Sequence, residues 1–143
     1  MAGAEDHETP EERAWFERMV VRCDDNPLVA TGLTADGRAM AARRSGSGTR
    51  GAWLAAYLES GLGGDLARVD AALEALDAVA AGDRAEAVSG QNDVYVVIGP
   101  EGVDLHHDTL EELDGRPPQR LTLAEMRAAL VDWRRALAAR PAG

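Results

Sequence analysis

The chain predicts an α+β fold, an antiparallel β-meander sheet with Ala-rich helices packed largely on one face. Three observations predict it. Two long segments carry apolar residues at spacings of three and four, each bounded by a helix start signal or a glycine stop. Between them lie short β-branched runs divided by tight Gly-, Asn- and Asp-containing turns, and connections that short join antiparallel strands. Finally, 27 of the 143 residues are Ala against 15 Leu, 11 Val and one Ile, so the core is modest and its helices approach closely. This length suits one domain with a real core. Residues 1–8 read as a polar tail and 9–140 as the domain.

Taken in order, Thr9-Pro10-Glu11-Glu12 offers an N-cap, a proline at the first helical position and a capping glutamate. A helix is expected from Pro10 to Val21 or Cys23, stopped by Asp24-Asp25-Asn26-Pro27. Leu28 to Thr34 and Arg38 to Ala42 flank an Asp36-Gly37 turn signal and read as a hairpin. After the loop Ser45-Gly46-Ser47-Gly48, Thr49 is placed to cap a helix whose apolar face holds Trp53, Leu54, Tyr57 and Leu58, ended by Gly61 to Gly64. Asp65 opens the next helix, striped by Leu66, Val69, Leu73, Leu76 and Ala80 and stopped by Gly82. Ala87–Ser89, Val94–Ile98 and Val103–His106 follow as three strands of a meander. Residues 108–119 read as a loop, with Pro117-Pro118 excluding regular structure. Thr122-Leu123-Ala124-Glu125 is a second capping box. It starts a helix with Leu123, Met126, Leu130, Trp133 and Leu137 inside and Arg134, Arg135 and Arg140 near the negative end of its dipole.

The charge pattern narrows function. Net charge is −10, and all fifteen cations are Arg, a habit of GC-rich genomes that carries no functional weight. Between Ala85 and Gly115 stand eight carboxylates, Glu86, Asp93, Glu101, Asp104, Asp108, Glu111, Glu112 and Asp114, with no Lys or Arg. An uncompensated negative surface repels nucleic acid and anionic membrane and steers cationic partners inward. On the predicted helix after Asp65, Asp70, Glu74 and Asp77 form an outward stripe, and like charges at that spacing cost the helix a few tenths of a kcal/mol each. Together the two groups of acids could form one continuous negative surface; the sequence leaves open whether they adjoin.

Chemistry is harder to find. In Asp104-Leu105-His106-His107-Asp108, strand alternation puts Asp104 and His106 on one face and Leu105 and His107 on the other, so the histidines diverge and no metal site is expected. The single cysteine, Cys23, excludes an intrachain disulfide and reads as a small buried hydrophobe. Ser45, Ser47 and Ser89 lack a nucleophile elbow. Gly46 to Gly51 lacks the lysine of a phosphate loop. Arg38, Arg43, Arg44 and Arg50 form a basic run that either docks an anion or pairs with the acidic half. No cofactor and no catalytic residue is expected, an enzyme using Asp104, His106 and Asp108 being a remote alternative. The acidic N-terminus is unlike a signal peptide, and no stretch of about 18 apolar residues is present, so a cytoplasmic location is expected.

From Trp53 to about residue 139, the order of elements resembles small bacterial immunity proteins, the antidotes encoded beside polymorphic and contact-dependent toxins. The resemblance rests on the helix Trp53-Leu54-Ala55-Ala56-Tyr57-Leu58, the Leu-striped helix ending Ala81-Gly82-Asp83, the meander, and the capped helix from Leu121 through Leu130 to Trp133. It implies a non-enzymatic cytoplasmic protein that binds one cognate toxin domain and occludes it. If the toxin is a nuclease with a basic cleft, the acids substitute for the phosphate backbone. The expected partner-binding residues are Asp70, Glu74, Asp77, Asp104, Asp108, Glu111, Glu112 and Asp114. The alternative is a small accessory or ligand-binding domain of actinobacterial metabolism, with Trp53, Tyr57, Tyr95 and Trp133 lining a pocket between sheet and helices.

Overall fold

A computed structural model describes Pro10, the backbone of residues 19–23, and residues 27–91 and 93–140. The expected first hairpin is present as β2 (Val29–Thr34) and β3 (Ala39–Arg43), paired antiparallel. Its turn is closed by Thr34 N–H donating to the Arg38 carbonyl (2.9 Å) and Gly37 N–H to the Thr34 carbonyl (3.0 Å). Met19–Cys23 forms a third strand, β1, on the other side of β2. This corrects the expected end of the first helix: Met19 and Val21 to Cys23 find partners in the wholly buried β2, with a register shift at Val20, and sheet pairing overrides local helix signals. The expected start of that helix and the polar tail fall outside the described residues.

α1 (Gly48–Ala56) runs directly into a π-helical turn, Tyr57–Leu62, and the expected apolar face of Trp53, Leu54, Tyr57 and Leu58 is fully buried. The cap position is Ser47 and not Thr49; the Ser47 hydroxyl turns back to the Arg44 carbonyl (2.6 Å), while the Thr49 hydroxyl accepts from Arg116 (2.8 Å). Gly61 lets the wide turn close on the sheet, since a Cβ there would stand 3.0 Å from the Val94 carbonyl and 2.8 Å from the Tyr57 ring. The Tyr57 hydroxyl shares a 2.7 Å hydrogen bond with Ser89, and burial pushes its ionisation far up. α2 (Leu66–Ala80) is capped by the Asp65 carboxylate, which accepts the Ala67 N–H (2.9 Å). Its buried stripe is Val69, Ala72, Leu76 and Val79, rotated from the expected one so that Leu73 is half-buried and Ala80 exposed.

The meander is β4 (Ala87–Gln91), β5 (Val94–Gly99) and β6 (Gly102–His107), extended by β7 (Gln119–Leu121) into a four-stranded antiparallel sheet. The described residues thus form two sheets where one was expected. Residues 108–119 are also more ordered than a loop: α3 (Asp108–Asp114) follows β6, and β7 begins immediately beyond Pro117-Pro118. α4 (Leu123–Ala138) carries the expected capping box complete, with Thr122 Oγ accepting the Glu125 N–H and the Glu125 carboxylate accepting the Thr122 N–H, both at 2.9 Å. Met126, Leu130, Trp133 and Leu137 are buried as expected, joined by Ala129 and Ala136. This face is wide because α4 packs on α2 and on strands of both sheets. At its C-terminal end Arg140 donates to the Leu137 carbonyl (3.1 Å) and the Gly64 carbonyl (2.8 Å), whereas Arg134 reaches sideways to Asp70.

Burial alternates cleanly along β5: Val94, Val96 and Ile98 point into the core, with Val103 and Leu105 of β6 and Leu121 of β7 beside them. α1, α2 and α4 all pack on that side. The opposite side of the four-stranded sheet has no helix on it among the described residues, and this arrangement creates the surface described next.

Candidate interaction surface

Strand register sets out the open face in two rows. Val88, Val97, Asp104 and Arg120 stand side by side across the four strands, and Gly90, Tyr95 and His106 form the neighbouring row. In the second row the Tyr95 and His106 rings stack, 4.8 Å between centroids and 5° from parallel. In the first, Arg120 pairs with Asp104 at 2.9 Å. Val88 is 64% exposed, an apolar side chain in open solvent.

The acids gather at the two ends of this face. At one end Asp108, Glu111 and Glu112 surround Tyr95 and His106 in a shallow recess of about 400 Å³. Desolvation and the negative charges of Asp108 and Glu111 hold the Tyr95 hydroxyl above its ordinary ionisation range. At the other end Glu86, Glu101 and Asp104 line a recess of about 160 Å³ with Val97 and Arg120. Six carboxylates therefore border the open face, and Arg120 is the one cation among the residues lining these two recesses.

α3 is held in place by its own residues. The His107 ring accepts the Leu110 N–H (3.4 Å) as an N-cap, and the Glu111 carboxylate accepts the His107 N–H (3.1 Å) while lying 3.3 Å from His106 Nδ1. The turn before β5 adds a brace, with Asp108 N–H donating to the Asp93 carbonyl (2.9 Å) and the Thr109 hydroxyl to the Asp93 side chain. Glu111 is thus both a rim charge and a structural anchor. Glu112 is exposed, and Leu113 beside it is 77% exposed.

The expected site residues divide three ways. Asp104, Asp108, Glu111 and Glu112 belong to the open face. Asp114 turns instead to a groove between α1 and α3, with Arg116, Trp53, His107 and Leu110. The α2 acids are separate: Asp70 pairs with Arg134 (2.6 Å) and Asp77 with Arg127 (3.1 Å), both from α4, and Glu74 stands exposed between them. Since α2 lies on the helix-covered side, the sheet separates the two groups, and they do not adjoin. The stripe of like charges on α2 is offset by the facing helix, a long-range pairing that one helix read alone does not reveal.

His106 and His107 do point to opposite faces; His107 packs against Trp53 at 5.7 Å. Among the described residues no three His, Cys, Asp or Glu side chains gather as a metal site. In the basic run, Arg50 pairs with Glu125 of α4 at 2.6 Å. Trp53, Tyr57, Tyr95 and Trp133 do not line one pocket: Tyr57 and Trp133 are core, with the Trp133 indole N–H donating to the Gly63 carbonyl (3.0 Å), and Tyr95 is on the far face. Among the described residues no helix is long and apolar enough to cross a membrane. Comparison with known proteins gives no match to a family model, a curated protein or a solved structure. Sequence reasoning counted Glu86 and Glu101 in the charge run but not among the site residues, placed Tyr95 in a pocket and missed Val88; the signal available was the period-two alternation along the strands, which sets Tyr95 with Val97 and Asp104 with His106.

Proposed function

We propose that the chain is a protein-binding module that neutralises a basic partner domain by occlusion, as an immunity protein neutralises its toxin, and that its recognition surface is the open face of the four-stranded sheet together with α3. The observation that carries this reading is the set of six carboxylates at the two ends of a sheet face bearing a Tyr95–His106 plate. Aromatic plates take cationic side chains on their faces, and a carboxylate rim steers and holds them. Leu113, exposed between Glu112 and Asp114, supplies an apolar anchor of the kind that dominates interface energetics when buried by a partner. A basic nuclease cleft fits this chemistry, because the acids present the charge of the nucleic acid it normally binds.

The test is capture of the tagged protein's partner from its host lysate with three baits: the native chain, Glu112→Arg combined with Leu113→Ala, and Asp70→Asn combined with Asp77→Asn. The native and α2 baits are expected to retain one stoichiometric basic protein and the α3 bait to lose it. Equal retention by all three baits, or loss with the α2 bait alone, would move the recognition surface elsewhere. The α2 variant is also expected to keep its stability within about 1 kcal/mol, since both ion pairs are half-exposed.

A further inference from the structure

Exposed strand edges invite pairing with another chain, and folded proteins guard them with charge, proline, short length or a covering side chain. Among the edge strands whose side chains are described, two are guarded. In β3 the register turns the Ala41 N–H away from β2, and the Glu59 carboxylate accepts it at 2.9 Å. β7 is three residues long and begins directly after Pro117-Pro118.

β4 has no such guard. The hairpin to β5 closes on the pair Gln91 and Val94, so Ala87, Ser89 and Gln91 bond to β5 while Val88 turns its backbone groups outward; Gly90, at φ 126°, departs from regular strand geometry. Among the described residues no backbone hydrogen bond outside the sheet ladder reaches Val88. The strand, Ala-Val-Ser-Gly-Gln, contains no charge and no proline, and Val88 stands exposed upon it.

We infer that the β4 edge is a docking site for an extended, basic segment of the partner, which adds a fifth strand to the sheet; this rests on the proposed function and specifies how the partner engages it. Charge selects the occupant. Asp83 and Glu86 precede the strand and Asp93 follows it, with Arg84 the one cation of that stretch. Two copies of this chain pairing edge to edge would oppose these acids on molecules that each carry −10. A basic strand meets them favourably, places an apolar side chain beside Val88 in the row that continues to Val97, and brings its cations to the rim acids. Backbone hydrogen bonds then supply affinity and the open face supplies specificity.

The experiment titrates the full chain with a short synthetic peptide of alternating Val and Arg, reading amide exchange and chemical shifts residue by residue. Val88 exchange is expected to slow at least about tenfold on saturation. Val88→Pro, which removes an outward N–H without breaking the ladder, is expected to weaken peptide binding by a similar factor at unchanged melting temperature. Val88→Lys, a charge guard, serves as the second variant and is expected to do the same. Peptide binding that shifts Tyr95, His106 and Glu112 while Val88 exchange stays as in the free protein would overturn strand addition and leave the acidic-face reading standing. Protection of Val88 intact in Glu112→Arg with Leu113→Ala, together with failure of the capture test, would do the reverse. Protection that rises with protein concentration in the absence of peptide would assign the edge to a second copy, and absence of binding would overturn the inference outright.

Discussion

Glu125 joins two structural roles in one carboxylate, and Glu125→Gln separates them. Glutamine can still complete the capping box with Thr122, because that motif accepts either side chain. What it loses is the charge facing Arg50, whose Nη2 lies 2.6 Å from both carboxylate oxygens and ties α1 to α4. Hydrogen bonds to charged groups contribute about 1.5–3 kcal/mol when shielded, and exposed pairs much less. Here the side chains are 38% and 24% exposed, which argues for the lower part of that range. Against this, Arg50 Nε is buried with no hydrogen-bond partner, so the guanidinium depends on Glu125 for compensation. The expected cost is about 1–2 kcal/mol at neutral pH, roughly 3–8 °C in melting temperature for a chain of this size. The pH dependence gives the sharper test. Burial alone would raise the Glu125 carboxyl, but the Thr122 N–H and Arg50 together hold it below its ordinary value of 4.5. A carboxyl depressed in the folded state contributes stability that is present above 4.5 and is lost as pH falls through the folded value. Urea unfolding of both proteins across the acid range should therefore show two curves separated at neutral pH that converge below that value. A gap that is absent at neutral pH, or that persists unchanged in acid, would refute the reasoning.

Gly51→Ala should destabilise by about 1–3 kcal/mol even though alanine is the better helix former by about 1 kcal/mol. The new Cβ would lie 2.8 Å from the Leu28 carbonyl and 1.9 Å from Ser47 Oγ, and a thermal melt reads the sign. Glu59→Ala should cost about 1 kcal/mol and uncover the Ala41 N–H, so that sedimentation velocity detects concentration-dependent self-association absent from the native chain. Unchanged sedimentation would show that Glu59 does not guard that edge.

The elements most legible in the sequence were those whose signals are local. The Thr122 to Glu125 box, the Asp65 cap and the tight meander turns are each decided within a few residues, and each appears as expected. Strand alternation also placed Asp104 and His106 correctly opposite His107. The failures are non-local. Residues 19–23 sit at the end of a plausible helical run but become strand because β2 offers a partner. The α2 stripe is rotated because α4 and the sheet together choose the buried face, and its acids are neutralised by arginines more than fifty residues away in the case of Arg134. α3 is stabilised by an unusual histidine cap and by Glu111, neither of which belongs to the common start signals. The charge run from Ala85 to Gly115 was visible at once, but only strand register shows that six of its eight carboxylates border one open face.

Association kinetics with the captured partner, followed across ionic strength, read the steering by the sheet face itself. Steering by the rim acids raises the association rate by about tenfold or more at low salt, an advantage that fades as the Debye length shrinks to about 3 Å near 1 M. A steep salt dependence is expected for the native chain and a much shallower one for Glu112→Arg with Leu113→Ala, with Asp70→Asn and Asp77→Asn behaving as native. Association rates indifferent to salt, and equal in all three proteins, would contradict it.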